Sequence, residues 1–162
     1  MTVSQLKARF TSIEKIKKGG QKIVYKAIYP SGEIVALKVI SSANDPRVLQ
    51  EISVVKSLSL PCVPRIIESG IVTDETVNED ALYIIEQYIE GKSLRDWINE
   101  KNTANLQFAY KLSEALLSAE IKLENNHILH RDINPNNIIL ASDGTIYLID
   151  FGLAEIMGGT SL

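Results

Sequence analysis

The sequence predicts an α+β fold in which a strand-rich first half surrounds one helix and is followed by helices and a closing hairpin. Three observations carry this. Ile23 to Ile28 and Ile34 to Ile40 are runs rich in β-branched residues, separated by the turn chemistry of Tyr29-Pro30-Ser31-Gly32. Phe108, Leu112, Ala115, Leu116, Ala119 and Leu123 recur at three and four, the spacing of one helix face. Ile138 to Leu140 and Ile146 to Ile149 flank Ser142, Asp143 and Gly144, which reads as a hairpin.

Composition sets the outer limits. The 162 residues are 45% apolar and 23% charged, ordinary usage for a chain able to bury a core. A net charge of −3 without any Lys/Arg run gives no sign of a nucleic-acid surface. Cys62 is the only cysteine, which excludes an intrachain disulfide and a multi-cysteine zinc site. The N-terminal MTVSQLKARF lacks the apolar core of a signal peptide, and no apolar run approaches membrane-spanning length. A reducing, cytoplasmic setting with no membrane or nucleic-acid partner is therefore expected.

Along the chain, Gly19-Gly20 marks the bend before the Ile23 strand, so three antiparallel strands are expected by Ile40. Asp45-Pro46 is a plausible helix start, and Val48, Ile52, Val55 and Leu58 follow at helical spacing with Glu51 beside that stripe. Pro61, Pro64 and Gly70 bracket the apolar run Ile66 to Val72. Asp74, Glu75, Glu79 and Asp80 form an acidic hairpin tip leading to Ala81 to Tyr88. Ser93 caps a short helix with Leu94, Trp97 and Ile98 on one side. The long amphipathic helix then ends near Asn125-Asn126.

The stretch HRDINPNNIILASDGTIYLIDFG, from His130 to Gly152, carries the chemistry. It places Asp132, Asn137 and Asp150 around the closing hairpin, where acceptor oxygens at its two ends can converge. Two oxygen ligands completed by water suit Mg²⁺, and a further carboxylate is then available for a substrate proton. Phosphoryl transfer asks for this division of labour, since its loose transition state needs positioning and charge neutralisation. By itself Asp150-Phe151-Gly152 is a turn after a strand. HRDxxxxN at this spacing before it resembles the catalytic and metal loops of eukaryotic-type protein kinases.

That resemblance covers nearly the whole chain and implies a kinase-like fold truncated after DFG. Residues 1–89 would form an ATP-binding lobe of five antiparallel strands and one helix. Residues 90–162 would form part of a mainly helical lobe. It implies ATP and Mg²⁺ as cofactors and a protein substrate bearing a Ser/Thr hydroxyl. Asp132 would orient the attacking hydroxyl or take its proton, and Asn137 and Asp150 would hold the metal. Lys38, in the VAIK-like Val35-Ala36-Leu37-Lys38, would reach the phosphates and pair with Glu51. Val24, Ala36 and Ile139 match the residues that sandwich adenine, while the Gln87 carbonyl and Ile89 N–H would read its edge. Glu86 falls at the gatekeeper place, and Gly91 would end the hinge. Val55, Ile66, His130 and Phe151 match the stack that aligns the two lobes, which makes His130 a packing residue.

The departures bear on activity. Aligned on Val24-Tyr25-Lys26, the glycine-rich loop carries Lys17, Gly19 and Lys22 at its three glycine places and Gln21 at its tip; Gly20 adds local freedom. Asn134 and Asn136 stand where kinases carry a lysine or arginine, a loss that at the scale of one electrostatic donor costs about 10²–10³ in rate. Pro135 leans toward the serine/threonine type. Arg131 argues against small-molecule phosphotransferases, which tend to read HGD. The chain runs only ten residues past Gly152, so the APE motif and later helices are missing. The expected function is an ATP- and Mg²⁺-dependent serine/threonine-type protein kinase. The alternatives are an ATP-binding pseudokinase scaffold and an inactive fragment of a longer kinase.

Overall fold

The computed structural model describes residues 1–19, 22–41, 52–53, 55–57, 60, 62–130 and 132–150. Gly20, Gln21, Asp45, Pro46, Val48, Glu51, Leu58, Pro61, Arg131, Phe151, Gly152 and the last ten residues, all invoked above, lie outside them. The described residues form two compact units. One comprises Met1–Lys56 and Arg65–Tyr88; the other comprises Ser57–Pro64 and residues 89–150.

The first unit is a five-stranded antiparallel sheet in the order β1-β2-β3-β5-β4, with β1 Ser12–Lys18, β2 Lys22–Ile28, β3 Ile34–Ser41, β4 Ile66–Asp74 and β5 Glu79–Gln87. The β-branched runs seen in the sequence are β2 and β3. They are joined at Pro30-Ser31-Gly32, where Gly32 takes φ 87° and its N–H donates to the Tyr29 carbonyl. The acidic tip spans residues 75–78, with Asn78 at φ 57° and Asp74 accepting from the N–H and hydroxyl of Thr76; Glu79 and Asp80 already belong to β5. Residues 52–53 and 55–57 are helical, and Ile52 and Val55 are buried.

One face of this sheet is covered by a helix that the sequence reading did not anticipate. Thr2 and Gln5 form a reciprocal capping box at the start of α1, Val3–Lys7, whose Leu6 is fully buried. Leu6 and Phe10 join Ala27, Val35, Leu37, Val39, Val72, Ala81, Tyr83 and Ile85 in one apolar cluster. At its edge Arg9 grips Glu68 through two parallel bonds of 2.7 and 2.6 Å, and the Tyr83 hydroxyl donates to the same carboxylate at 2.7 Å. The Arg9 contact, reinforced by Tyr83, pulls the Glu68 carboxyl down to about 2 and raises the Arg9 guanidinium.

In the second unit, Ser93 and Asn105 cap α2, Leu94–Asn99, and α3, Leu106–Glu124; each side-chain oxygen accepts the backbone N–H three residues on. The predicted stripe of α3 packs against Leu94, Ile138, Ile146 and Leu148, with Trp97 stacked on Phe108 at 4.7 Å. Ile98 instead faces solvent. The predicted hairpin is β7 Ile138–Ala141 with β8 Ile146–Leu148, closed by Gly144 at φ 83°. A third strand, β6 Gly91–Ser93, pairs with β7. Gly91 is there for space: a Cβ would lie 2.3 Å from the Leu140 carbonyl oxygen and 2.8 Å from the Ala141 Cα. Among the described residues, no helix is long and apolar enough to cross a membrane.

Candidate active site

The two units contribute separate sets of candidate residues. In the sheet, antiparallel register decides which side chains share a face. Val24 lies opposite Lys38, Lys38 opposite Ile84, and Ala36 opposite Glu86. Because alternate residues point to one side, Val24, Ala36, Lys38, Ile84 and Glu86 occupy the face away from the α1 cluster. The three apolar members form a buried patch beside the two charged ones, with Val24 and Ala36 each 7% exposed. Lys38 is buried on it, and its Nζ lies 2.6 Å from Oε1 of Glu86, which is buried too.

This ion pair was not foreseen. The sequence reading gave Lys38 to Glu51, outside the described residues, and gave Glu86 only a gatekeeper place. The signal existed in the parity of two strands, but it could be read only once the β3–β5 register was known.

At the loop end of the sheet, the Gly19 N–H donates to the Lys22 carbonyl at 2.7 Å. Among the described residues, a Cβ on Gly19 would meet its nearest neighbour at 3.6 Å, an ordinary contact, so their crowding does not demand glycine there. Gln87 is exposed at the end of β5, where its N–H donates to the Arg65 carbonyl. Ile89, half-buried, begins the next stretch of the second unit.

In the second unit the loop from Asp132 to Asn137 is held by its own asparagines. Asn134 Nδ2 donates to Asp132 Oδ1 at 2.7 Å, and its Oδ1 accepts the Asn136 N–H at 2.9 Å, an Asx turn. Asn137 Nδ2 donates to Asp132 Oδ2 at 2.7 Å and to the Asp132 carbonyl at 3.0 Å. Each oxygen of the exposed Asp132 carboxylate thus accepts one amide, which fixes its plane. The residue standing in the family's lysine place, Asn134, aims the carboxylate and shapes the turn without supplying charge.

Asn137 also ties this loop to the segment after β8. Its carbonyl accepts the Ile149 N–H at 2.8 Å, and the Ile149 carbonyl accepts from His130 Nε2 at 3.1 Å. A carbonyl can only accept, so Nε2 carries the proton. His130 is fully buried and acts as a bracket, in keeping with a packing role. Ile149 is therefore held from both sides, and the next residue, Asp150, is buried with φ 61°. Asparagine and aspartate tolerate this left-handed conformation better than most residues do. Ile139, half-buried, pairs with Tyr147 across the hairpin.

The donor set fits a hard cation. With Asn137 Nδ2 turned to a carboxylate, its Oδ1 is the atom of that amide able to face a metal, and Asp150 adds a buried carboxylate two residues beyond β8. No group of three or more His, Cys, Asp or Glu able to hold a metal occurs among the described residues. Mg²⁺ suits so sparse a set, since it keeps water and phosphate oxygens in its shell. A separate cavity of about 320 Å³ lies against α3 and includes Cys62, Lys111 and Glu114 but none of these residues; burial there pushes the Cys62 thiol up, away from the thiolate.

The family model described as the protein kinase domain matches residues 10–162. This chain belongs to the protein kinase family. Serine/threonine-protein kinase PAK 1 of Mus musculus is 32% identical over 156 residues, 94% of this chain and 27% of that protein. The protein named "Probable serine/threonine-protein kinase PknB" of Lactococcus lactis subsp. lactis is 30% identical over 162 residues, 95% of this chain and 25% of that protein. Among solved structures, Rad53 1–466 in complex with AMP-PNP superposes with a TM-score of 0.75 at 27% identity, over 90% of this chain and 38% of that one. The kinase-like fold expected from the sequence is the fold observed. The chain spans about a quarter of the length of the two curated relatives.

Proposed function

We propose that this kinase-family chain binds ATP with Mg²⁺ and transfers the γ-phosphate to a Ser/Thr hydroxyl of a protein. The observation that carries the reading is the clamp at the catalytic loop. Asn134 and Asn137 orient the Asp132 carboxylate, and Asn137 holds the backbone one residue before Asp150. The nucleotide complex of Rad53 lends the ATP part support.

On this reading Val24, Ala36 and Ile139 are the residues that would meet adenine, and the backbone of Gln87 and Ile89 would read its edge. Gly19 would face the phosphates and Lys38 would balance their charge; Gly20 and Glu51, which the family resemblance adds to these roles, lie outside the described residues. Asn137 and Asp150 would hold Mg²⁺, which would neutralise charge on the phosphate oxygens. Asp132 accepts a hydrogen bond from the substrate hydroxyl and orients its oxygen. As the bond from that oxygen to the γ-phosphorus forms and the bond from phosphorus to the ADP oxygen breaks, the hydroxyl proton passes to Asp132.

A second reading, nucleotide binding without transfer, is favoured by Asn134, whose amide is committed to Asp132 and the Asn136 turn and brings no cation. One pair of assays separates the two: Mg²⁺-dependent ATP binding, and γ-phosphate transfer to Ser/Thr peptides. Transfer by the parent chain that is abolished in Asp132→Asn, with binding kept, supports the kinase. Equal transfer in that variant removes Asp132 from the mechanism, and binding with no transfer by the parent chain supports the scaffold. Asp150→Asn should weaken ATP binding only when Mg²⁺ is present; an unchanged Mg²⁺ dependence would break the metal assignment.

A further inference from the structure

We propose that Glu86 is a specificity-determining residue of the nucleotide site: an internal counterion for Lys38 that competes with the phosphate chain and so limits how much the phosphates add to affinity. The proposal rests on the nucleotide reading above.

Three features of the sheet carry it. First, the residues directly opposite Lys38 are Val24 and Ile84, both apolar, so no cross-strand partner at its own register offers an anion. Glu86 lies one pair further along the same face of β5, opposite Ala36. The ion pair therefore runs diagonally between β3 and β5, a distance long side chains span. Second, both partners are nearly sealed, Lys38 at 5% and Glu86 at 6% exposure, and the contact is 2.6 Å. Charges in such a setting are screened little by water, so a carboxylate there cancels much of the field that the ammonium would present to an incoming anion. Third, β5 is an interior strand, bonded to β3 on one side and β4 on the other, so the Glu86 backbone is fixed. The carboxylate cannot leave with a moving loop. An arriving phosphate has to share the ammonium with it or draw the ammonium away.

Only ligands that carry phosphate should sense this competition. Glu86→Gln retains an oxygen able to accept from Lys38 but removes the negative charge. In that variant ATP and ADP, each with Mg²⁺, should bind about tenfold more tightly than to the parent chain, with adenosine affinity unchanged. Glu86→Asp, which restores the charge, should return ATP affinity toward the parent value. In a Lys38→Met background, adding Glu86→Gln should leave ATP affinity where Lys38→Met alone put it, because the charge competed for is gone.

Isothermal titration of the 162-residue chain with ATP, ADP and adenosine at fixed ionic strength reads all of these. Should Glu86→Gln not fold, Glu86→Met, which fills a similar volume without charge, carries the same expected sign. A parent chain that binds ATP while the neutral variant binds it equally or more weakly would overturn the proposal and leave the nucleotide reading standing. So would equal tightening for adenosine, or tightening that persists without Lys38. A parent chain that binds neither ATP nor adenosine would overturn both.

Discussion

Replacing Asn137 by aspartate changes almost nothing in shape and reverses the electrostatics of the catalytic loop. The amide nitrogen lies 2.7 Å from Asp132 Oδ2 and 3.0 Å from the Asp132 carbonyl. Asn137→Asp removes both donated bonds, each worth about 1 kcal/mol net. It also sets an oxygen against a carboxylate oxygen. Two unit charges at that separation repel by about 1.5 kcal/mol in bulk water and about 6 kcal/mol at an effective dielectric of 20. Position 137 is buried but Asp132 is exposed, which pulls the value toward the lower figure. The variant should therefore lose about 3.5–4 kcal/mol of unfolding free energy near neutral pH. The sign of the pH dependence follows. The introduced carboxyl has a folded-state pKa raised above its unfolded value. The stability tied to its neutral form is fully present below the unfolded pKa and is lost as pH rises through the folded one. Urea unfolding of parent and variant at about pH 4 and about pH 7.5 should show a penalty reduced in acid to about 1 kcal/mol, for the one bond that a protonated carboxyl cannot restore, and full near neutrality. A penalty that is flat with pH, or under about 0.5 kcal/mol at both, would refute the hydrogen-bonded arrangement of Asp132 and Asn137.

Two further outcomes test the scaffold around the site. Gly91→Ala drives a Cβ into the backbone of β7 rather than into a yielding side chain, so it should cost about 2–3 kcal/mol by overpacking; a thermal midpoint equal to that of the parent chain would show that β6 does not approach so closely. The depressed Glu68 carboxyl contributes stability that is present above its ordinary value of 4.5 and lost as pH falls toward about 2. With both partners about one-third exposed, solvent screening holds this to about 1 kcal/mol. Glu68→Gln should flatten the acid limb of the stability profile by that amount, and parallel acid limbs in parent and variant would disprove the assignment.

Much of the fold was legible because period and turn chemistry agree in this sequence. The β-branched runs on either side of Pro30-Ser31-Gly32, the α3 stripe and the hairpin around Gly144 each satisfy local and tertiary demands at once. What escaped was whatever depends on partners distant in sequence. β6 is three residues long, and its glycine is explained only by the backbone of β7. α1 is five residues, little more than one turn and too short for an apolar stripe to repeat, and owes its place to the sheet face that Leu6 fills. In the candidate site, the residue types of HRDxxxxN and DFG were plain in the text. The aiming of Asp132 by Asn134 was not, because an asparagine in a loop says nothing about which neighbour its amide selects. Nor could Lys38 be matched with Glu86 while β3 and β5 were separate runs of letters.

The α1 cluster has a consequence for where this protein's parts begin. The family pattern starts at residue 10, yet Leu6 is as buried as any residue of the sheet, and the Met1 carbonyl accepts the Thr73 N–H in β4. The shared pattern and the folding unit thus have different edges: the first nine residues are foreign to the one and integral to the other. A boundary drawn at the start of the kinase match would run through the middle of a hydrophobic core.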